Sequence, residues 1–221
     1  MAAVTPDVAP ALPTVFLASR SPRRREMLGR LGIRFEVVES GIDDGPMRPG
    51  RVGPQAWVAA LAYLKARAAR AFMHERAMLL GEPVPPGVIL GADTIVWKDG
   101  LVIGQPVDAP DAHRIIRALE SGAHEVHTGV ALLDTRTERR ELIADSAHVR
   151  VGPLGEERIS TYVRSGGWAG KAGGYNLSER LAAGWPIQFE GDPGTIMGLP
   201  LIRLPRALER FVRPNGDDRT A

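Results

Sequence analysis

The reading of the chain turns on Val88-Ile89-Leu90-Gly91-Ala92-Asp93-Thr94-Ile95-Val96. Its first five residues are apolar or glycine, which suits a strand buried on both faces. The run breaks at one carboxylate, Asp93, and resumes with Ile95 and Val96. A carboxylate directly behind a buried strand is costly unless it is paired, metal-bound or exposed at a cleft. Alone, the stretch reads more readily as a capping or turn aspartate at a strand end. The rest of the chain adds a second acid, several cations and a glycine-rich loop.

Upstream, Val15-Phe16-Leu17-Ala18 reads as a short strand, followed by Ser19-Arg20-Ser21-Pro22-Arg23-Arg24-Arg25. Ser21 suits an N-cap and Pro22 a first helical position, so a helix is predicted from about Pro22 to Leu31, with Met27, Leu28 and Leu31 inward. Three arginines in its first turn oppose the helix dipole, at about 0.3–1 kcal/mol each. An anion at that helix start would reverse the sign. Without one, removing Arg23 or Arg24 is expected to leave the protein slightly more stable. Phe35 to Val38 predicts a second strand, ending in a loop that carries Asp43 and Asp44, which serve as turn formers or as oxygen ligands for Mg²⁺. Trp57, Leu61, Leu64, Ala68 and Phe72 recur at helical steps, with Lys65 beside the stripe.

Downstream, Asp99-Gly100 predicts a hairpin turn, closed by Gly104-Gln105-Pro106. A helix is expected from Pro110 to Leu119. Val126–Leu133 and Leu142–Val151 read as antiparallel strands, and a helix is expected over Gly155–Val163. Ser165 to Tyr175 holds five glycines and Lys171 in eleven residues, a composition suited to a backbone-lined anion loop, although the P-loop pattern is not met. Ile196 to Leu199 suggests a last strand and Pro200 to Val212 a closing helix.

Composition limits the function classes. The chain has 221 residues, 44% of them hydrophobic, with no cysteine and a formal charge of +2. No disulfide or thiolate site is possible, which fits a cytoplasmic location. No apolar run approaches a membrane span, and residues 1–13 read as a disordered leader rather than a signal peptide. The small net charge and the lack of interleaved aromatics argue against a nucleic-acid partner. A haloacid-dehalogenase chemistry is disfavoured because Ile95 stands where a second aspartate would be needed.

Together, Leu17-Ala18-Ser19-Arg20-Ser21-Pro22-Arg23-Arg24, Gly91-Ala92-Asp93-Thr94, His127-Thr128-Gly129-Val130, Lys171-Ala172-Gly173-Gly174-Tyr175 and Met197-Gly198-Leu199-Pro200 resemble the Maf family in order and spacing. The resemblance spans Thr14 to Phe211. It implies an α/β fold with an elongated mixed sheet flanked by helices, one two-lobed domain over residues 14–212 with a central cleft as in inosine triphosphate pyrophosphatases, and a frayed tail over 213–221. It also implies a nucleoside triphosphate pyrophosphatase that releases a monophosphate and pyrophosphate, a divalent cation (Mg²⁺ or Mn²⁺), and often a homodimer.

The resemblance carries the catalytic acid to Asp93 and substrate contacts to Ser19, Arg23, Arg24, Asp43, Lys65, Thr94 and Lys171. The chemistry agrees: phosphoryl transfer needs charge neutralisation and positioning, which the arginines and lysines supply. Asp93 would hold the metal or accept the proton of the attacking water, with Asp43 as second acid. Gln105 replaces the usual lysine of a G-K-P triplet, and Leu177-Ser178-Glu179 replaces the usual I-Q-G, putting Ser178 at a base-contacting glutamine position. A serine offers a shorter, rotatable contact, so broad activity across several triphosphates is expected. Pro186-Ile187-Gln188 lies at the wrong spacing to supply the missing glutamine. A nucleotide-binding module with lost or weak turnover is the alternative, motivated by Gln105.

Overall fold

The computed structural model describes residues 13–43 and 47–212. The leader up to residue 12, Asp44 and the tail from 213 lie outside the described residues. Seven strands form one open mixed sheet: β1 (Val15–Ala18), β2 (Phe35–Val37), β3 (Val88–Lys98), β4 (Leu101–Ile103), β5 (Gly122–Asp134), β6 (Arg140–Val151) and β7 (Ile187–Glu190). Their order is β2-β1-β3-β5-β6-β7, with β4 paired to β3. β1 runs parallel to β2 and β3, while β5, β6 and β7 follow as antiparallel neighbours. Seven helices are described: α1 (Pro22–Arg30), α2 (Pro54–Leu80), α3 (Ala109–Leu119), α4 (Glu156–Arg164), α5 (Leu177–Ala182), α6 (Pro193–Met197) and α7 (Leu204–Val212). None is long and apolar enough to cross a membrane among the described residues. The predicted α/β mixed sheet is observed.

One side of β3 determines where the cleft forms. β5 pairs with β3 from Val88 to Trp97. On the opposite edge β1 covers only Val88 to Gly91, and β4 covers only Val96 to Lys98. Ala92, Asp93, Thr94 and Ile95 therefore have no strand partner on that edge, where main-chain groups and side chains of both faces are open to a ligand. Asp93 thus sits in the middle of an 11-residue strand rather than at a strand end.

The apolar core divides around this gap. Leu17, Leu28, Leu90, Leu132, Leu199, Leu204 and Leu208 pack on one face of the β1 half. Val96, Ile115, Ile116, Val126, Ile159, Tyr162 and Tyr175 pack beyond the gap with α3 and α4. α2 covers the reverse face through Ala62, Ala66, Ala69 and Met73. The predicted α2 stripe is half right: Leu61 is buried, but Leu64 and Phe72 are exposed. The reason is close approach. A Cβ on Gly91 would lie 2.2 Å from the Ala62 carbonyl oxygen, and one on Gly129 would lie 2.3 Å from that of Val58. With helix main chain so near the sheet, only small side chains fit between them.

Two other expectations change. Ile196–Leu199 is not a strand: Asp192 caps a short helix by accepting from the Gly194 N–H at 2.7 Å, Pro193 takes the first turn, and Gly198 ends it at φ 114°. The last strand is Ile187–Glu190, which takes in Ile187 and Gln188 of the triplet set aside by spacing, and it pairs at the β6 edge. The closing helix starts at Leu204 rather than Pro200. Asp99 and Gly100 make the predicted hairpin turn, both at positive φ.

Candidate active site

A cavity of about 700 Å³ opens at the gap in the sheet. Of the predicted site residues, Arg23, Arg24, Asp43, Lys65, Asp93, Thr94 and Gln105 line it. Ser19, Lys171 and Ser178 do not. Arg20, Arg48, Trp57, Asn176, Met197 and Gly198 line it without having been singled out as contacts. Arg20 lies inside the first quoted motif, Met197 and Gly198 inside the last, Trp57 on the helical stripe, and Asn176 directly follows the Lys171–Tyr175 motif, whereas Arg48 had no pattern to mark it.

Asp93 is buried to 6% exposure, and its Oδ1 accepts from Lys65 Nζ at 2.5 Å. The pair follows from the glycine contact: Gly91 lets α2 approach β3, and Lys65 lies one residue before Ala66, whose main chain that glycine meets. The cost of burying the carboxylate is thereby offset by an opposite charge.

Thr94, the next residue, points to the other face. Arg24 donates from Nη2 to Thr94 Oγ1 (3.0 Å), from Nη1 to Ser19 Oγ (3.1 Å) and from Nε to the Gly198 carbonyl (2.9 Å). The Thr128 hydroxyl donates to the Thr195 carbonyl at 2.7 Å, and Thr94 and Thr128 are 2.8 Å apart. A hydroxyl has one proton, so Thr94 donates to Thr128 and accepts from Arg24. Ser19 and Thr94 therefore fix the Arg24 guanidinium, which corrects the expectation that losing Arg24 would be stabilising. Arg23 is held more lightly, with Nη2 donating to the Gly170 carbonyl at 3.4 Å. Burial pulls its pKa below the ordinary value, against the opposing influence of Glu179 and Tyr162.

Beyond the gap the walls are largely apolar: Val96, Val102, Pro106, Val126, Ala172, Ile196 and Met197 line the cavity with Tyr175. His124 shares a 2.8 Å hydrogen bond with the Tyr175 hydroxyl, and burial, helped by the Lys98 charge, lowers its pKa to about 4. Burial also raises the pKa of Tyr175, so both rings stay neutral at pH 7. Lys171 lies beside this wall, bound to Glu179 Oε2 at 2.5 Å. Ser178 is exposed, and its hydroxyl donates to Asn176 Oδ1 at 2.8 Å. The expected breadth of specificity therefore loses its premise, since Ser178 does not line the cavity.

No three His, Cys, Asp or Glu side chains come together as a metal site among the described residues. The cavity does present Asp93 and Asp43. Mg²⁺ commonly takes one or two carboxylates and completes its shell with substrate phosphates and water, so this donor set fits it.

Residues 14–211 match the family described as Maf-like protein. A dTTP/UTP pyrophosphatase of Pelotomaculum thermopropionicum is 35% identical over 197 residues, covering 89% of this chain and 96% of that protein. A protein of the same name from Burkholderia pseudomallei is 38% identical over 199 residues, covering 88% and 91%. Another from Salinibacter ruber is 34% identical over 194 residues, covering 88% and 89%.

Proposed function

This chain belongs to the Maf-like protein family, and from that premise we propose that it is a nucleoside triphosphate pyrophosphatase, a hydrolase of the α–β phosphoanhydride bond. The observation that carries the reading is Asp93, buried on the unpaired edge of β3, in a cleft with arginines on one side and apolar walls on the other. A triphosphate suits the first side and a nucleobase the second. Water attacks the α-phosphorus, the bond to the bridging oxygen breaks, and pyrophosphate leaves with the charge of that oxygen.

In this reading Asp93 accepts the proton of the attacking water or holds the cation. Lys65 fixes the Asp93 carboxylate, and Arg23 and Arg24 neutralise phosphate charge, Arg24 in the orientation set by Ser19 and Thr94. A divalent cation, Mg²⁺ or Mn²⁺, would be held by Asp93 and Asp43 and would supply further neutralisation of the phosphates. Gln105 offers a neutral amide to the cleft in place of a cation. Cytoplasmic removal of non-standard or modified triphosphates, by a chain acting alone or as a homodimer, belongs to the same reading. The relatives' names weigh against a binder without turnover.

The test is a panel of triphosphates, including dTTP, UTP, CTP and 7-methyl-GTP, assayed for pyrophosphate with Mg²⁺ and with Mn²⁺. Monophosphate and pyrophosphate in equal amounts are expected. Nucleotide-dependent thermal stabilisation without product would instead identify a binding module.

A further inference from the structure

The apolar side of the cleft carries one amide held in a single orientation. Asn176 is 7% exposed and lines the cavity. Its Oδ1 accepts from the Ser178 hydroxyl at 2.8 Å and from the Glu179 main-chain N–H at 3.1 Å. A main-chain N–H can only donate, so the atom it meets is the amide oxygen and not the nitrogen. That removes the usual ambiguity of an asparagine side chain. No described residue accepts a hydrogen bond from Asn176 Nδ2. Of its neighbours along the chain, Tyr175 and Ala172 also line the cavity and add an engaged hydroxyl and a methyl, while Gln105 contributes a second amide to the cleft.

We propose that Asn176 is the specificity-determining residue for the base, and that its Nδ2 donates to a ring carbonyl standing where other bases carry an exocyclic amino group. The inference rests on the nucleotide reading given above. A freely rotating amide would serve either kind of base, donating to a carbonyl or, after a flip, accepting from an amino group. Asn176 cannot flip without losing the bond from the Glu179 main-chain N–H and setting Nδ2 against it; the Ser178 hydroxyl can donate or accept, so the main-chain N–H is what fixes the orientation. An amino group on the base would therefore meet a donor, leaving two donors face to face in a nearly buried site. The ligand class that follows is the oxo bases, with uracil and thymine accepted and cytosine rejected at the C4 position. Ser178 then acts indirectly: it stands on the exposed side and holds Asn176 in place.

The decisive variant is Asn176→Asp. A carboxylate keeps an acceptor for Ser178 and for the Glu179 N–H, so the cap of α5 survives, since Asn and Asp serve about equally at that position. What changes is the atom facing the cleft, from a donor to an acceptor. The added negative charge repels every triphosphate alike and cancels in a ratio of two nucleotides. Affinities for UTP and CTP are read by calorimetry in the Asp93→Asn background, which is expected to prevent turnover. kcat/KM for both nucleotides is read in the otherwise wild-type enzyme. The expected result is a shift of the UTP-to-CTP ratio toward CTP by tenfold or more in both measurements.

A ratio that moves less than threefold overturns the proposal, because Asn176 would then be only a helix cap or would contact a group common to both bases. Equal loss for both nucleotides has the same meaning. If the wild-type protein releases no pyrophosphate from any nucleotide, the enzymatic reading fails, while the ratio of affinities still decides the role of Asn176. If it binds neither nucleotide, both readings fall.

Discussion

On the β1–α1 side of the cleft Arg24 reaches acceptors in three separate segments, the β1–α1 loop, β3 and the end of α6, whereas on the far side Lys171 reaches a carboxylate eight residues along the chain. The first arrangement ties Ser19, Thr94 and Gly198 together across sequence separations of up to 174 residues. The second is local, confined to residues 170–180, and contains every departure from the family pattern except Gln105. Long-range hydrogen bonds hold a cation where the fold puts it, whatever the ligand. A local ion pair at the surface can be rearranged by one substitution. The β1–α1 side of the cleft, to which the proposed function gives the phosphates, is thus set by the fold, and the far side, to which it gives the base, is adjustable.

The largest effect expected from this contrast is at Asp93. Asp93→Asn should lower pyrophosphate release by at least ~10²-fold through loss of a base or metal ligand. It should also destabilise the protein, by about 1.5–3 kcal/mol, because Lys65, only 14% exposed, loses the carboxylate it donates to at 2.5 Å. Turnover of UTP and a denaturant melt measure the two effects. Activity within a few-fold of wild type would remove Asp93 from the chemistry. An unchanged melt would mean that the carboxylate is not what holds Lys65.

Next come the two arginines of the same helical turn. Arg24→Ala removes at least the three hydrogen bonds to Gly198, Ser19 and Thr94 and should cost about 2–3 kcal/mol, at roughly 1 kcal/mol each. Arg23→Ala removes one 3.4 Å hydrogen bond and should change stability by less than about 0.5 kcal/mol. It should still weaken triphosphate binding more than monophosphate binding, which calorimetry can compare. Equal stability losses in the two variants would erase the distinction between a residue fixed by the fold and one kept for the ligand.

The sequence reveals the catalytic side better than the base side, for physical reasons. A carboxylate inside a run of Val, Ile, Leu and Ala conflicts with burial, and three arginines conflict with a helix dipole, so Asp93, Arg23 and Arg24 were visible as anomalies. Gly91 was visible only as a motif letter. Its purpose, admitting the α2 main chain to 2.2 Å of a Cβ position, needs the three-dimensional contact. The same contact explains the misread stripe, because helical periodicity favours large apolar residues where this interface requires alanine. Pro193 and Asp192 are helix-start signals that the apolar run of Ile196 to Leu199 overrode. Asn176 carries no conflict within its own neighbourhood. Its significance comes from which atoms occupy its oxygen.

The smallest effect belongs to Glu179 and tests whether the base side is adjustable. Its carboxylate lies 2.5 Å from Lys171 Nζ and 3.9 Å from Arg180, and it also influences Arg23. A triphosphate approaching these cations must compete with it. Glu179→Gln keeps the main-chain N–H that Asn176 accepts and removes only the charge, so KM for UTP should fall by about threefold to fivefold. That corresponds to about 0.7–1 kcal/mol, within the range of a partly exposed pair, since the Glu179 side chain is 44% exposed. The gain should shrink at high salt, because screening already weakens the competitor in the wild-type protein. Removing a negative charge favours any polyanion, so the same substitution belongs in a cycle with Lys171→Met. If competition for Lys171 is the cause, Glu179→Gln should do little once the lysine is gone. A rise in KM instead of a fall would mean that Glu179 holds Lys171 ready for the substrate and does not withhold it.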